Sequence, residues 1–456
     1  MADVFVPSRY ISFSATEDDT LVLYNSLTGA LGAVPAEQVP IVRNALRRSA
    51  RHPAPLQGVL SDLYEGGFLV PEGTDEQAIA HRQFLARYTD EHLNLIILPT
   101  EQCNFRCVYC YEAFIQGKMP EQVRHGIRRL VASQSRLRQL DIAFFGGEPL
   151  LAADVVIELS RFFHEHCAER GIEYTAGCTT NASLLTPDVV EQLIPLGVNH
   201  FQITIDGVQE EHDKRRVLQH GGGTFDMILA NLRYLHTTNH LFSIILRHNY
   251  DAQSVERLDE FVDMLQREFG GDPRFSTLFF PIGQWGGEND SDLSTCERRA
   301  SIDALIRGRQ LALKAGFRRA LQFDRFQPNG YVCYAANPRS FVIGSDGRLY
   351  KCTVELDYHD RNIVGRLNED GTMELDWRKM ALWCETNGLD EGKKCSSCFF
   401  SPSCHGACCP KEWMDSHECQ CPQEKVAIRQ VLPLIFKESQ LPQPTAMLDS
   451  MSHCVK

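Results

Sequence analysis

The sequence predicts an α/β fold built on an open, partial (β/α)6 barrel, with a small domain before it and a cysteine-rich domain after it. Three observations carry this expectation. Six apolar, strand-like runs alternate with amphipathic helical stretches across residues 93–283, a pattern that builds a parallel sheet with helices on its outside. The units number six rather than the eight of a closed TIM barrel, so the barrel is TIM-like but open. The segments richest in chemistry all fall at the carboxyl ends of those runs, where such sheets bind ligands.

Taken in order, residues 1–75 read as a winged-helix-like domain. "TLVLYNSLTGAL" forms a hairpin turning at Ser26–Gly29, two short helices follow at 36–48 and 54–65, and "GGFLVP" ends the unit. Residues 76–92 supply a linking helix. The barrel occupies 93–310, with strands at 93–98, 139–145, 172–178, 200–205, 241–247 and 274–280. In "DVVIELSRFFHEHCAER", Val155, Leu159, Phe162 and Phe163 share one helical face. Pro187 and Gly197 stand at the start and stop of the helix "TPDVVEQLIPLG". A further helix covers 296–315. Residues 311–430 form the cysteine-rich domain, and 431–456 a helix end and flexible tail.

Composition narrows the function. Apolar residues make up 43% and charged residues 23% of the 456, ordinary values for a soluble globular protein of two or three domains. A net charge of −13 argues against nucleic acid as the partner. No apolar run approaches the ~18 residues of a membrane span, and the first 20 residues lack a signal-peptide core. The expectation is a cytoplasmic protein with no membrane partner. Seventeen cysteines are many for a reducing compartment, and they bunch at 103–110 and 395–421, as metal sites do.

The first bunch is "PTEQCNFRCVYCYEAF", in which Cys103, Cys107 and Cys110 are spaced C-x₃-C-x₂-C just after the first strand. Three thiolates on a short loop can hold three irons of a 4Fe–4S cube and leave the fourth iron open for a substrate. A zinc knuckle is the alternative, but zinc takes four ligands and this stretch offers no fourth Cys or His. After the second strand comes "GGEP", Gly146, Gly147, Glu148 and Pro149. Glycines there let a backbone approach a ligand closely, and the Glu148 carboxylate can offset an ammonium. After the fourth strand comes "QITIDGVQEEHDKRR".

Together these motifs resemble the radical S-adenosylmethionine (SAM) superfamily. The resemblance implies that Cys103, Cys107 and Cys110 bind a 4Fe–4S cluster and that Gly146–Pro149 meet the amino group of SAM. The third stretch resembles a string of the peptide- and protein-modifying branch, with Thr204 in place of the usual serine. It implies that Arg216, or Arg215 beside it, pairs with the methionine carboxylate, and that His212 and Asp213 orient the loop. Tyr109 matches an aromatic residue near the adenine; simple packing is the other reading of it.

The second bunch resembles a SPASM domain, which holds two auxiliary 4Fe–4S clusters, making three in all. By that pattern Cys395, Cys398, Cys404 and Cys421 hold the outer cluster, and Cys333, Cys352 and Cys408 the inner one. No cysteine lies between 334 and 351, so a substrate thiolate, Cys384 or Cys409 remains open as the missing inner ligand. Cys419 competes with Cys421, which the ending "CPQEK" favours. Cys167, Cys178, Cys296 and Cys454 read as plain thiols.

Residues 93–430 carry the resemblance, and residues 1–75 are similar, more loosely, to leader-recognition modules of peptide maturases. The implied activity is reductive cleavage of SAM to a 5′-deoxyadenosyl radical and oxidative modification of a ribosomally made precursor peptide, through a thioether or carbon–carbon cross-link. Its leader would bind the N-terminal domain, and an external one-electron donor such as flavodoxin or ferredoxin would supply the electron. A formylglycine-generating sulfatase maturase and a small-molecule cofactor-biosynthesis enzyme are the alternatives.

Overall fold

The computed structural model describes residues 4–287, 289–319, 322–356, 360–385, 394–406, 409–418 and 420–441. The chain divides into two compact units that do not follow sequence order. One joins Met1–Tyr88 with Leu321–Asn337 and Glu385–Leu441; the other is built from Thr89–Ala320 and Pro338–Cys384.

The second unit is organised by one twisted sheet of eleven strands. In chain order these are β1 (His92–Ile97), β2 (Gln139–Phe144), β3 (Glu173–Thr180), β4 (Val198–Thr204), β5 (Ser243–Tyr250), β6 (Phe275–Pro281), β7 (Arg318–Arg319), β8 (Ser340–Ile343), β9 (Arg348–Tyr350), β10 (Ile363–Leu367) and β11 (Met373–Leu375). β1 to β6 are the six expected strands, and neighbours in sequence pair in parallel. β7 continues the parallel run beyond β6, and β8 adds in parallel on the far side of β1. β9, β10 and β11 then extend that side as an antiparallel meander. Residues 340–375, expected in the cysteine-rich domain, thus continue the barrel sheet.

Helices Glu121–Ala132, Ala153–Arg170, Pro187–Leu193, Phe225–Thr237, Leu258–Phe269 and Arg298–Lys314 follow successive strands. Ala153–Arg170 buries Val155, Val156, Leu159, Phe163 and Cys167, whereas Phe162 is only half-buried and stacks on His166 at 5.4 Å. Gly197, at φ +83, closes the turn after Ile194–Leu196 as its left-handed cap.

In the first unit, Leu21–Asn25 and Leu31–Val34 form the expected hairpin, but a further strand, Ile11–Ala15, pairs on its other side. Leu21–Asn25 is therefore central. Helix Ile428–Ser439 packs on Ile11–Ala15, with Ser14 Oγ donating to Arg429 O at 2.6 Å, so that edge is covered. No strand among the described residues pairs with the outer side of Leu31–Val34. Leu21, Leu23, Val34, Val42, Leu63, Phe68 and Leu69 form the core beneath, filled by helices Val39–Ala45 and Val59–Glu65. Asp75 caps helix Glu76–Leu85 by accepting from Ala78 N at 3.0 Å.

The late segments of this unit are bound to the early ones by directed contacts. The Tyr24 hydroxyl donates to Phe326 O at 2.7 Å and lies 2.6 Å from Ser403 Oγ. Ser26 Oγ donates to Phe399 O, and Gln77 Nε2 to Ser396 O at 3.1 Å. Tyr24, Phe326, Tyr331 and Phe400 pack ring against ring. The C-terminal tail beyond residue 441 lies outside the described residues.

Candidate functional site

The carboxyl ends of β1 to β6 surround one cavity. Its wall includes Cys103, Cys107, Tyr109 and Cys110 after β1; Gly146 and Gly147 after β2; Thr179, Thr180 and Asn181 at the end of β3; Gln202 and Thr204 on β4; Arg247 and Asn249 on β5; and Pro281 to Gly283 with Trp285 after β6. Side chains alternate along a strand. Gln202 and Thr204 therefore turn inward while Phe201 and Ile203 are buried, and Arg247 and Asn249 turn inward while His248 stacks on Phe261 at 4.5 Å.

The cysteine loop is held by main-chain pairing. Phe105–Cys107 forms an antiparallel ribbon with Arg216–Leu218, in which Cys107 faces Arg216. Val108 N donates to Arg215 O at 2.9 Å. Two segments more than 100 residues apart in sequence are thereby locked beside each other. No disulfide involves Cys103, Cys107 or Cys110. Burial pushes the Cys103 and Cys110 thiols up to about 12 and raises Cys107 as well, so they would lose their protons to a metal rather than to water.

Arg216 is 7% exposed and lines the cavity. Its Nη1 donates to the Tyr109 hydroxyl at 2.9 Å, which itself donates to Asp206 Oδ2 and accepts from Asn249 Nδ2 at 3.2 Å. Burial works against the Arg216 charge, but Cys107, Tyr109 and Asp206 outweigh it and raise its pKa. Its Nε is buried without a hydrogen-bond partner. Arg215, the competing assignment, is not on the cavity wall and pairs with Asp251 at 2.8 Å. His212 and Asp213 hold the loop: His212 Nδ1 accepts from Asp206 N at 3.2 Å, and Asp213 accepts from Thr224 N and Phe225 N at 2.7 and 2.9 Å.

In the "GGEP" segment Gly146 and Gly147 line the cavity and also pack against the protein's own backbone. A Cβ on Gly146, at φ +118, would lie 2.4 Å from Thr100 O, and one on Gly147 would lie 2.5 Å from Gln102 O. The glycines admit the protein's own backbone at the entry to the cysteine loop. Glu148 is fully buried and absent from the cavity wall; it accepts from Leu150 N, Thr180 Oγ1 and Asn181 N at 3.0, 2.7 and 2.7 Å. Pro149 opens the turn Pro149–Ala152 behind it. Glu148 thus ties β2 to β3 from behind the wall, where the expectation had it face an ammonium.

Sequence reasoning missed Gln202, Arg247 and Asn249. Each is a polar residue at an inward position of a largely buried strand, and that is the signal that marks them. Gln202 is 3% exposed and its Oε1 has no hydrogen-bond partner.

A second cavity, within the first unit, is lined by Cys395, Cys398, Cys404 and Cys421 together with Ser401 and Lys425. Lys425 Nζ lies 3.5 Å from Cys421 Sγ. Cys395 to Cys404 are brought together by tight turns, Cys398 N donating to Cys395 O at 3.1 Å and Cys404 N to Phe400 O at 3.3 Å. Cys333 belongs to the first unit, Cys352 to the second, and Cys384 ends helix Trp377–Cys384. Cys408, Cys419 and Cys454 lie outside the described residues. Among the described residues no three His, Cys, Asp or Glu side chains are gathered closely enough to hold a single metal ion.

The comparisons agree with the cavity. Residues 97–262 match the family model of the radical SAM superfamily. Over those residues, which include β2 to β5 and the cysteine loop, the chain is similar to that superfamily. It is 25% identical over 361 residues to mycofactocin maturase of Mycolicibacterium smegmatis, covering 76% of this chain and 85% of that one. It is 23% identical to the cysteine-type anaerobic sulfatase-maturating enzyme of Clostridium novyi, over 69% and 87% of the two chains. Among solved structures, anSMEcpe with bound AdoMet and Cp18Cys peptide matches with a TM-score of 0.57 at 18% identity, over 77% of this chain and 100% of that one. Streptococcus suis SuiB matches with a TM-score of 0.52 at 16% identity, over 91% and 100%. These two share the fold.

The family implies a 4Fe–4S cluster and SAM (AdoMet). The residues fit them. Three half-buried thiols line one wall; the free Nε of Arg216 suits a carboxylate, and the unpartnered Oε1 of Gln202 suits an ammonium. No helix is long and apolar enough to cross a membrane among the described residues.

Proposed function

We propose that the chain is a radical SAM enzyme that oxidatively cross-links a ribosomally made precursor peptide, through a thioether or carbon–carbon bond. The observation that carries the reading is the cavity in which the three loop thiols share a wall with Arg216, a guanidinium that makes no ion pair with a carboxylate among the described residues. A 4Fe–4S cluster with SAM, held there, would supply the radical chemistry that takes hydrogen from the substrate. The protein's part is positioning. Cys103, Cys107 and Cys110 would hold the cluster. Arg216, oriented by Tyr109 and through it by Asp206 and Asn249, would bind the methionine carboxylate, with Thr204 on the same wall. Pro281, Ile282 and Trp285 supply apolar surface that would exclude water.

In this reading Cys395, Cys398, Cys404 and Cys421 hold the outer auxiliary cluster of a SPASM-type domain. Flavodoxin or ferredoxin supplies the electron. The peptide substrate is supported by the mycofactocin maturase relative and by the SuiB structure solved with its precursor peptide SuiA, which matches with a TM-score of 0.50. The winged-helix-like region offers the leader the outer side of Leu31–Val34, since main-chain pairing gives affinity with little demand on side chains.

Removing residues 1–75 would also remove Tyr24 and Ser26, which hold Phe326 and Phe399, so a point change is the cleaner test. Asn25 N donates to Ala30 O, and with Val22 opposite Ala33 the alternation of an antiparallel ladder turns Ala33 N–H outward. Ala33→Pro deletes that donor. The anaerobically reconstituted chain should convert a neighbouring-gene precursor peptide to a product lacking two hydrogens. Ala33→Pro should raise the apparent KM for the full precursor several-fold and leave SAM cleavage without peptide unchanged. Equal KM values would remove the edge as the leader site and favour a protein or small-molecule substrate.

A further inference from the structure

The cavity wall holds a second guanidinium for which the proposed SAM contacts leave no task. Arg247 stands on β5 opposite Thr204 of β4. Its Nε donates to Asn249 Oδ1 at 2.8 Å, and its guanidinium carbon lies 4.4 Å from the centre of the Phe280 ring. These contacts fix the plane of the group and use one of its donors. The nearby acids are engaged elsewhere. Asp206 accepts from Tyr109 and from Asn249 N at 2.9 Å, and Asp251 pairs with Arg215. Among the described residues no carboxylate lies within ion-pair distance of Arg247, and Arg216 repels it.

An arginine keeps its proton even where burial opposes it, as burial does here. The wall therefore carries two positive groups, and they face different surroundings. Arg216 pairs with Cys107 in the ribbon, which places it beside the cysteine loop. Arg247 has Asn249 and the Phe280 ring beside it. Beyond Phe280 the wall runs on through Pro281, Ile282 and Trp285, an apolar surface suited to an organic substrate. With Nε occupied, Arg247 presents its two terminal nitrogens, a fork that matches the two oxygens of a carboxylate.

We propose that Arg247 binds a carboxylate of the substrate, carried on or next to the residue that reacts, either as an acidic side chain or as a chain terminus. This rests on the radical SAM reading of the cavity and adds to it the charge of what enters.

The test uses the full-length chain reconstituted with iron and sulfide and saturated with SAM. Calorimetric titration with N-acetylaspartyl amide, N-acetylasparaginyl amide and N-acetylglycine compares a side-chain carboxylate, its neutral isostere and a terminal carboxylate. The native chain should bind one of the two acids at least tenfold more tightly than the neutral amide, and which acid does so identifies the source. Arg247→Met should erase that preference, and Arg247→Lys should retain part of it. Equal binding of acid and amide by the native chain would overturn the proposal. So would a tenfold loss of SAM affinity in Arg247→Met, which would give the carboxylate to SAM itself. SAM cleavage on reduction, followed in the same native samples, separates the two levels. Cleavage with indifferent binding sinks this proposal alone, and absence of cleavage sinks the parent reading.

Discussion

Gly146→Ala is expected to damage the protein before any ligand arrives. The new Cβ would stand 2.4 Å from Thr100 O, about 1 Å inside ordinary contact, and the residue would have to keep φ near +118. Holding a non-glycine residue in such a conformation costs about 1–3 kcal/mol. Forcing an extra methyl against a backbone that must shift costs about 1–3 kcal/mol more. The sum, about 2–6 kcal/mol, is a large part of a typical domain stability of about 5–15 kcal/mol. The strain falls on Thr100, three residues before Cys103, so the cluster loop should be displaced as well. Urea unfolding of the iron-free chain, followed by tryptophan fluorescence, reads the stability; iron per chain after reconstitution reads the loop. Both should fall, and Gly147→Ala should behave alike because its Cβ would meet Gln102 O at 2.5 Å. A Gly146→Ala protein with native stability and native iron that loses only SAM affinity would refute this, and would return the glycine to the ligand.

Arg216→Met should weaken SAM binding about tenfold or more at unchanged iron content, since a charge-assisted contact is worth about 1.5–3 kcal/mol; unchanged affinity in equilibrium titration would dismiss the assignment. Changing Cys395, Cys398 and Cys404 together to Ala should remove about a third of the iron, as one of three cubane sites; loss of none or of nearly all would contradict three separate sites. Burial lowers His212 and His248 to about 4 from the usual 6.5. The unfolded chain therefore binds protons that the native one refuses between about pH 6.5 and 4, and stability falls as pH falls through that window, by about 1.4 kcal/mol per unit for each histidine. Urea midpoints of the iron-free chain should show this slope, and His212→Gln should flatten it; an unaltered slope would assign the acid sensitivity elsewhere.

Much of the barrel was legible because its strands are short apolar runs between helices of clear period. β1 to β6 lie within a few residues of their predicted positions. β8 to β11 were not legible, since strands of three to five residues between turns resemble loop in a cysteine-rich region. Nor was the return of 321–337 and 385–441 to the N-terminal unit, which depends on contacts such as Tyr24 with Phe326 and Ser403, hundreds of residues away. Cys103, Cys107, Cys110, Tyr109, Thr204 and Arg216, which the motifs single out, all line one cavity. For Glu148 a motif names the residue without saying which way its side chain turns, and the structure has it buried, accepting from Leu150 N, Thr180 Oγ1 and Asn181 N. Arg247 and Gln202 carry no motif. Their mark is a polar side chain on the inward register of a buried strand, and register is known only once the strands are paired.

The most direct test of the central claim is SAM cleavage by the reconstituted, chemically reduced chain, measured as 5′-deoxyadenosine and methionine. The native chain should form both in equal amounts. The chain with Cys103, Cys107 and Cys110 changed to Ala should form neither while keeping the iron held by the later cysteines. Cleavage that survives in that variant, or its absence from a native chain with its full complement of iron, would contradict the account.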